Sequence, residues 1–492
     1  MAGIKSLAKD TAIYGMSSIV GRFLNYLLVP LYTAKLAAAE GGYGVITNVY
    51  AYVALLLVLL TYGMETTFFR FSNKDGEDAD TVYSTTLTAV GTTSLLFVAI
   101  VLAFLPAISG WMGYADHPEY VWIMALVVAM DAFQAIPFAY LRHRHKPLKF
   151  AALKLLFVVL NIVLNLLYFV ALPAWYANDP SGIVSHIYDP SVGVGYAFAL
   201  NLVCTSVVMV FLLPELRVKW RFDRALLRRM LSYSWPILIL GIAGILNQTA
   251  DKILFPFIYD GADAKAQLGI YGAASKIAMI MALITQAFRY AYEPFVFGKS
   301  RDKDNKETYA TAMNYFLAFT LLAFLAVMAG IDLLRYIIGR DYWEGLKVVP
   351  IVMAAEIMMG VYFNLSFWYK LTDRTIWGAI FSGIGCLALL AVNVLFVPRY
   401  GYMACAWGGF VGYGVAMLLS YFVGQKFYPI RYPLGKMALY TATAAATFGL
   451  YCIISIENQW LNTLVRIALM LPFCALLYRL DIAPTLRKRR AA

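Results

Sequence analysis

Apolar residues fall along this chain in long runs, with little strict alternation. Fourteen stretches of roughly 20 or more mostly apolar residues follow one another, each long enough to cross about 30 Å of hydrocarbon as a helix. The first seven cover 11–35, 43–66, 82–108, 120–141, 148–172, 192–214 and 233–259. The second seven cover 266–297, 309–337, 346–369, 375–398, 401–424, 435–455 and 460–479. Leu, Ile, Val and Phe recur in them without a period of two, so they read as helices and not as barrel strands. The pattern predicts an all-α integral membrane protein of about 14 transmembrane helices.

The connections are short, and the longest on one side, 173–193, holds about twenty residues. A basic connection at 215–232 separates span six from span seven, where a linker between two six-span halves would stand. This divides the chain into an N-terminal six-helix lobe (1–214), the linker (215–232), a second six-helix lobe (233–425), and two additional helices with a basic tail (426–492). YGVITNVYAYVALLLVLLTYGMETTFFRF from Tyr43 aligns weakly with LGIYGAASKIAMIMALITQAFRYAYEPF from Leu268, bringing Gly44 onto Gly269. Internal repeats of this kind build many transporters.

Composition sharpens the assignment. Of 492 residues 62% are apolar and 14% charged, whereas a soluble protein has about half and about a quarter. A soluble globular enzyme is excluded. Cys204, Cys386, Cys405, Cys452 and Cys474 all lie in expected spans, so neither a disulfide framework nor metal-ligand spacing is present. The start MAGIKSLAKD lacks a cleavage site before the first span, which is expected to be retained. The net charge is +12, and 28 of the 40 Lys and Arg residues fall on the side that holds both termini. By the positive-inside rule that side is cytoplasmic. The clusters LRHRHKPLK (141–149) and LRVKWRFDRALLRRM (216–230) are thus topology signals first and anionic-lipid contacts second. No motif for nucleic acid accompanies them, and no phosphate loop, nucleophile elbow or zinc signature occurs, so no enzyme activity, cofactor or metal is expected.

An ionisable side chain at mid-bilayer costs at least about 2.5 to 3.5 kcal/mol on insertion scales, so each needs a partner, a cavity or a route to the interface. Lys154 and Arg466 lie about six residues from a span end, within snorkelling reach. Arg22, Asp131 and Glu356 are nearest the middle. Thr11, Tyr14, Ser18, Arg22 and Asn25 fall within about 80° of one another at 100° per residue. That stripe faces either a partner helix, with Arg22 paired to Asp131 or Glu65, or a cavity where a guanidinium binds an anion through two hydrogen bonds. Asn161 and Asn165 share a face of the fifth span with Lys154 and Tyr168, and Asn247, Gln248 and Asp251 lie on the seventh. Arg289 and Glu293, at i,i+4, form a local salt bridge or contribute to a site. Asp131, Asp251 and Glu356 are candidate coupling carboxylates or structural groups. Pro30, Pro137, Pro236, Pro256 and Pro350 are expected to kink spans, and GGFVG (408–412) reads as close helix packing.

The chain resembles the polysaccharide exporters of the multidrug/oligosaccharidyl-lipid/polysaccharide superfamily, the O-antigen-type lipid-linked oligosaccharide flippases. The likeness rests on LAKDTAIYGMSSIVGRFLNYLLVPLYT, the second span from Tyr43, PFAYLRHRHKPLKFAALK, LLRRMLSYSWPILILGIAGILNQTADKILF and the segment from Leu268. It implies two six-helix lobes around a central cavity, alternating access, and a polyprenyl-diphosphate-linked glycan moved to the outer leaflet. Arg22 matches the first-span arginine of such flippases; Ser18, Asn25, Asn161, Asn165, Asn247, Lys252, Lys276 and Arg289 are further candidates to line the cavity. The implied partners are the lipid-linked glycan, the bilayer and the polymerase and glycosyltransferases of one pathway. A lipid II flippase or a cation-coupled drug exporter of the same superfamily is the alternative. A membrane glycosyltransferase or polymerase fits less well, because 173–193 is too short to hold an acceptor.

Overall fold

The computed structural model describes residues 26–74, 76–299, 305–372, 374–454 and 456–484. Among the described residues there are helices and turns and no strands. The chain divides into two compact units, Met1–Gly269 and Ile270–Ala492.

The helices of the first unit are α1 (Leu28–Lys35), α2 (Gly42–Thr61), α3 (Met64–Ser72), α4 (Ala79–Ala103), α5 (Leu105–Trp111), α6 (Pro118–His143), α7 (Pro147–Leu166), α8 (Leu172–Asn178), α9 (Gly195–Leu212) and α10 (Arg224–Ile258). Their starts are written in the sequence. Asp78 caps α4 by accepting from the Thr81 amide, and Asp223 caps α10 by accepting from Ala225 and Leu226. Prolines open α6 and α7, where a missing N–H costs nothing. The hub is α6, which packs against α2, α4 and α9. Of its apolar stretch 67% is buried, against 11% for α10, most of whose residues are partly buried or exposed.

Two glycines set the course of the second span. Gly63, at φ +73°, breaks the run expected to continue over 43–66 into α2 and α3, and a Cβ there would stand 2.9 Å from the Ile237 side chain. Gly44 allows close backbone approach: its Cβ would fall 1.8 Å from the Lys265 carbonyl oxygen and 3.0 Å from the Gly269 nitrogen. The two glycines matched in the weak repeat are therefore neighbours.

After α11 (Ala264–Ala278), which crosses the division, the second unit holds α12 (Ile280–Lys299), α13 (Asn305–Ala329), α14 (Ile331–Leu334), α15 (Val349–Leu365), α16 (Phe367–Leu371), α17 (Ile376–Tyr400), α18 (Tyr402–Phe427), α19 (Leu434–Ile453) and α20 (Gln459–Leu477). The α17–α18 hairpin packs backbone to backbone: Cβ atoms on Gly385 and Gly412 would each come within 2.8 Å of the other's carbonyl oxygen. Gly408 meets Asn393 in the same seam, so GGFVG is a packing surface. The last two helices pack against α13. Arg466 donates 3.0 Å to Asp332, and Lys436 and Tyr440 both donate to Asp481. Arg466 is thus paired within the protein and does not snorkel.

Among the described residues eleven helices are long and apolar enough to cross a membrane, or twelve if α11 and the first part of α12, bent by 44°, make one span. The expected count of 14 is not reached. The first expected span lies mostly outside the described residues, and α19, with Lys436 and several threonines among alanines, misses the same apolarity. Pro137, Pro236 and Pro256 lie inside helices, whereas Pro350 stands in the first turn of α15 and so starts a helix instead of kinking one.

Candidate functional site

Ser18, Arg22 and Asn25 lie outside the described residues. The described end of the first expected span is α1, and its Tyr32 reaches a polar group on α7. The Tyr32 hydroxyl donates 2.7 Å to Asn165 Oδ1, while Asn165 Nδ2 donates to Asn161 Oδ1 at 2.9 Å and to the Asn161 carbonyl at 2.8 Å. All three side chains are buried. In hydrocarbon an unpaired amide is costly, so the two asparagines, one turn apart, satisfy each other and the tyrosine fixes their orientation.

A second chain of contacts runs beside the first. Asn201 on α9 donates 2.5 Å to the Tyr50 hydroxyl of α2, Thr205 donates 3.3 Å to Asn201 Oδ1, and Gln134 of α6 donates 2.9 Å to the Thr205 carbonyl. Tyr50 lies in the field of Asp131, and Asp131 is the counter-charge of Lys154. The Lys154 ammonium stands 4.0 Å over the Phe138 ring. Lys154 is exposed on α7, with its ammonium against the aromatic face of Phe138 and within the electrostatic influence of Asp131. Glu65, one of the carboxylates considered as partners of Arg22, pairs with Arg142, while Asp131 acts on Lys154 without a direct ion pair. The result is a polar seam through the first unit, carried by α1, α2, α6, α7 and α9.

The remaining candidates are dispersed. Lys252 donates 3.0 Å to Asp251 and 2.8 Å to the Gln248 carbonyl. Asn48, buried on α2, donates 2.8 Å to the Lys252 carbonyl and accepts 2.8 Å from the Tyr114 hydroxyl. Asn247 donates 2.9 Å to its own helix at Ala243. Lys276 on α11 and Glu356 on α15 are partly buried on separate helices. In the second unit Arg289 lies 4.9 Å over the Phe363 ring, beside a small pocket lined also by Thr285 and Asn364. The Glu293 side chain lies outside the described residues. Among the described residues no three His, Cys, Asp or Glu side chains converge as metal ligands.

Within the first unit the structure thus places Lys154, Asn161 and Asn165 along α7, with Asp131 of α6 acting on Lys154, and pairs Asp251 with Lys252 on α10. Sequence reading passed over Tyr32, Tyr50, Gln134, Asn201, Thr205 and Asn48. A tyrosine in an apolar run reads as apolar, and its partner lies far away: Tyr32 and Asn165 are 133 positions apart, Asn48 and Lys252 are 204 apart. The available signal was an amide inside a span, which would have singled out Asn48, Gln134 and Asn201.

Residues 39–345 match the family model described as polysaccharide biosynthesis protein. The chain belongs to that family. It is 20% identical to Lsg locus protein 1 of Haemophilus influenzae over 405 residues, which cover 80% of this chain and 94% of the relative. Among solved structures, the lipid II flippase MurJ in an inward closed conformation superposes with a TM-score of 0.71 at 16% identity, covering 95% of this chain and 98% of that one. An inward-facing multidrug resistance MATE transporter of the MOP superfamily gives a TM-score of 0.66 at 14% identity, covering 82% and 94%. The fold of this polysaccharide biosynthesis protein is that of MOP-superfamily membrane transporters.

Proposed function

We propose that the chain is a flippase that moves a polyprenyl-diphosphate-linked oligosaccharide from the cytoplasmic to the outer leaflet of the cell's inner membrane by alternating access. The cargo would be a repeat unit of O-antigen, capsule or exopolysaccharide. The observation that carries this reading is the match of residues 39–345 to the polysaccharide biosynthesis family in a chain folded as a membrane transporter. A glycan intermediate built on a lipid in the cytoplasm must cross the bilayer before it is polymerised outside, and a transporter fold within this family suits that step. Both termini would be cytoplasmic, and the polymerase and glycosyltransferases of the pathway would be functional partners.

In this reading Arg22 receives the diphosphate, because a guanidinium stays charged and matches phosphate oxygens in pairs. Asn25, Ser18, Asn161, Asn165, Asn247, Lys252, Lys276 and Arg289 are candidate contacts for the rest of the head group. Asp131, Asp251 and Glu356 are candidate coupling carboxylates, Asp131 through exchange of its proton against its interaction with Lys154. Arg22→Ala is expected to abolish surface glycan while the protein still inserts, and Arg22→Lys to restore part of it, read by immunoblot of surface polysaccharide. Normal export by the alanine variant would remove Arg22 from the mechanism. Drug efflux without any change in surface glycan on deleting the chain would replace the flippase reading by the drug-exporter one.

A further inference from the structure

The first unit carries a groove that the transport reading does not use. It has a volume of about 650 Å³ and lies between α2, α4 and α10, lined by Leu59, Thr92, Phe222, Leu231, Trp235 and Leu238 among others. That volume is in the range of small-molecule sites, roughly 300 to 1,000 Å³. The side chains on α10 form one stripe, since Leu231, Trp235 and Leu238 recur at steps of three and four. Leu231 is 43% exposed and Trp235 62% exposed, so the groove is open along its length.

One end of the groove is basic. Arg224 precedes Leu231 by seven residues and lies on the same face of α10. Between α9 and α10 the chain reads Arg217, Val218, Lys219, Trp220, Arg221, Phe222, and the backbone of this segment is stapled to the start of α4. The Ser84 hydroxyl donates 2.7 Å to the Arg221 carbonyl, and the Asp223 amide donates 3.2 Å to the Thr85 hydroxyl. Arg217, Lys219, Arg221, Arg224 and Arg228 are all exposed. Among the described residues none of the five forms an ion pair, Arg221 feeling Asp78 only at longer range, whereas the adjacent Arg229 is held at 2.6 Å by Glu77. Trp220 and Phe222, both more than half exposed, are residues that settle at a membrane interface.

Depth decides what would fit. From Arg224 to Leu238 a helix rises about 21 Å at 1.5 Å per residue. That is about one leaflet with its head group, half of a hydrocarbon core of about 30 Å plus the interface. A lipid chain of one leaflet ends where the groove ends; a long polyprenyl chain would overrun it.

We propose that this groove binds one anionic glycerophospholipid, with an acyl chain along the α10 stripe and the phosphate at Arg221, Arg224 and Arg228. The site is independent of the cargo that the transporter carries. Its bound lipid would fix the basic segment at the membrane surface and fill the open flank of α10.

Trp235 gives the test its probe. The purified full-length chain is mixed with vesicles of dibrominated phosphatidylglycerol or dibrominated phosphatidylcholine, and the quenching lost in Trp235→Phe is taken as the groove's signal. Phosphatidylglycerol is expected to quench it at far lower concentration. The triple variant Arg221→Gln/Arg224→Gln/Arg228→Gln is expected to weaken that preference about a hundredfold, each cation near an anionic surface contributing roughly a factor of five. Thr92→Phe, which plugs the groove and keeps its charges, is expected to lose quenching by both lipids. Arg399→Gln serves as a control for net charge and is expected to behave as wild type, with helical content by circular dichroism checked in every variant. Equal quenching by the two lipids, or a preference retained in the triple variant, would overturn the proposal. Displacement of phosphatidylglycerol by polyprenyl phosphate at lower concentration would overturn it too, and would assign the groove to the carried lipid.

Discussion

Gly44 and Gly409 are both helical glycines, yet an added methyl group meets different surroundings at each. At Gly44 it would enter the carbonyl of Lys265, while at Gly409 nothing lies within 4 Å. Gly44→Ala is therefore expected to destabilise by about 1 to 3 kcal/mol through overpacking, and Gly409→Ala to be neutral or to stabilise by up to about 1 kcal/mol. Thermal unfolding of the two variants in one detergent compares them directly. Asn165 tests the polar seam in the same way. Asn165→Ala strands the Tyr32 hydroxyl and an Asn161 oxygen, at about 1 to 3 kcal/mol for a buried polar group left without a partner. In a double-mutant cycle Tyr32→Phe is expected to relieve part of that loss; strict additivity would mean that the two side chains do not act together. Asparagines inside spans stand out in a sequence. Their partners do not, because pairing across more than a hundred positions is set by which helix faces meet.

At the scale of the helix, start signals were local and legible, while not every break was. Asp78 before α4 is a case of the first kind. Hydrogen bonds from the Thr81 hydroxyl, and secondarily from backbone amides, hold its carboxyl below the ordinary aspartate range. A carboxylate lowered on folding stabilises above its unfolded pKa, and that contribution fades as pH falls through the folded one. Asp78→Ala is expected to cost about 1 kcal/mol near neutrality, with wild type and variant converging in acid. A difference that persisted at pH 2 would point to packing instead of the cap. The 44° turn between α11 and α12 left no trace in hydropathy, since both sides of it are similarly apolar, and the break at Gly63 falls where the apolar run gives way to the more polar α3 and so reads as the end of a span. The α19–α20 pair rests on Asp332 and Asp481, which bind Arg466 and Lys436. Asp332→Asn with Asp481→Asn is expected to raise amide exchange in α19 and α20 and to leave α6 protected.

For the whole molecule, the order and nature of the helices could be read from the chain because long apolar runs have few alternatives in a bilayer. The span count could not be settled in the same way: α19 is helical over 20 residues, yet small and hydroxylated side chains keep it near the limit of what inserts. Orientation is open to a direct measurement. Cys204, Cys386 and Cys405 are buried and Cys452, at the end of α19, is exposed. If both termini are cytoplasmic across fourteen spans, an impermeant maleimide added to intact spheroplasts is expected to label Cys452, and Cys452→Ser to lose the label. Labelling that required permeabilisation would invert the topology. The Asp481 cluster adds a matter of timing. Asn314 is made 167 residues before the aspartate it donates to, and at 5 to 20 residues per second that is an interval of roughly ten to thirty seconds. Throughout it, Asn314, and later Lys436 and Tyr440, sit in a nascent membrane protein without their acceptor. The second unit therefore closes late in translation, and until then its polar groups depend on water or on the insertion machinery for shelter.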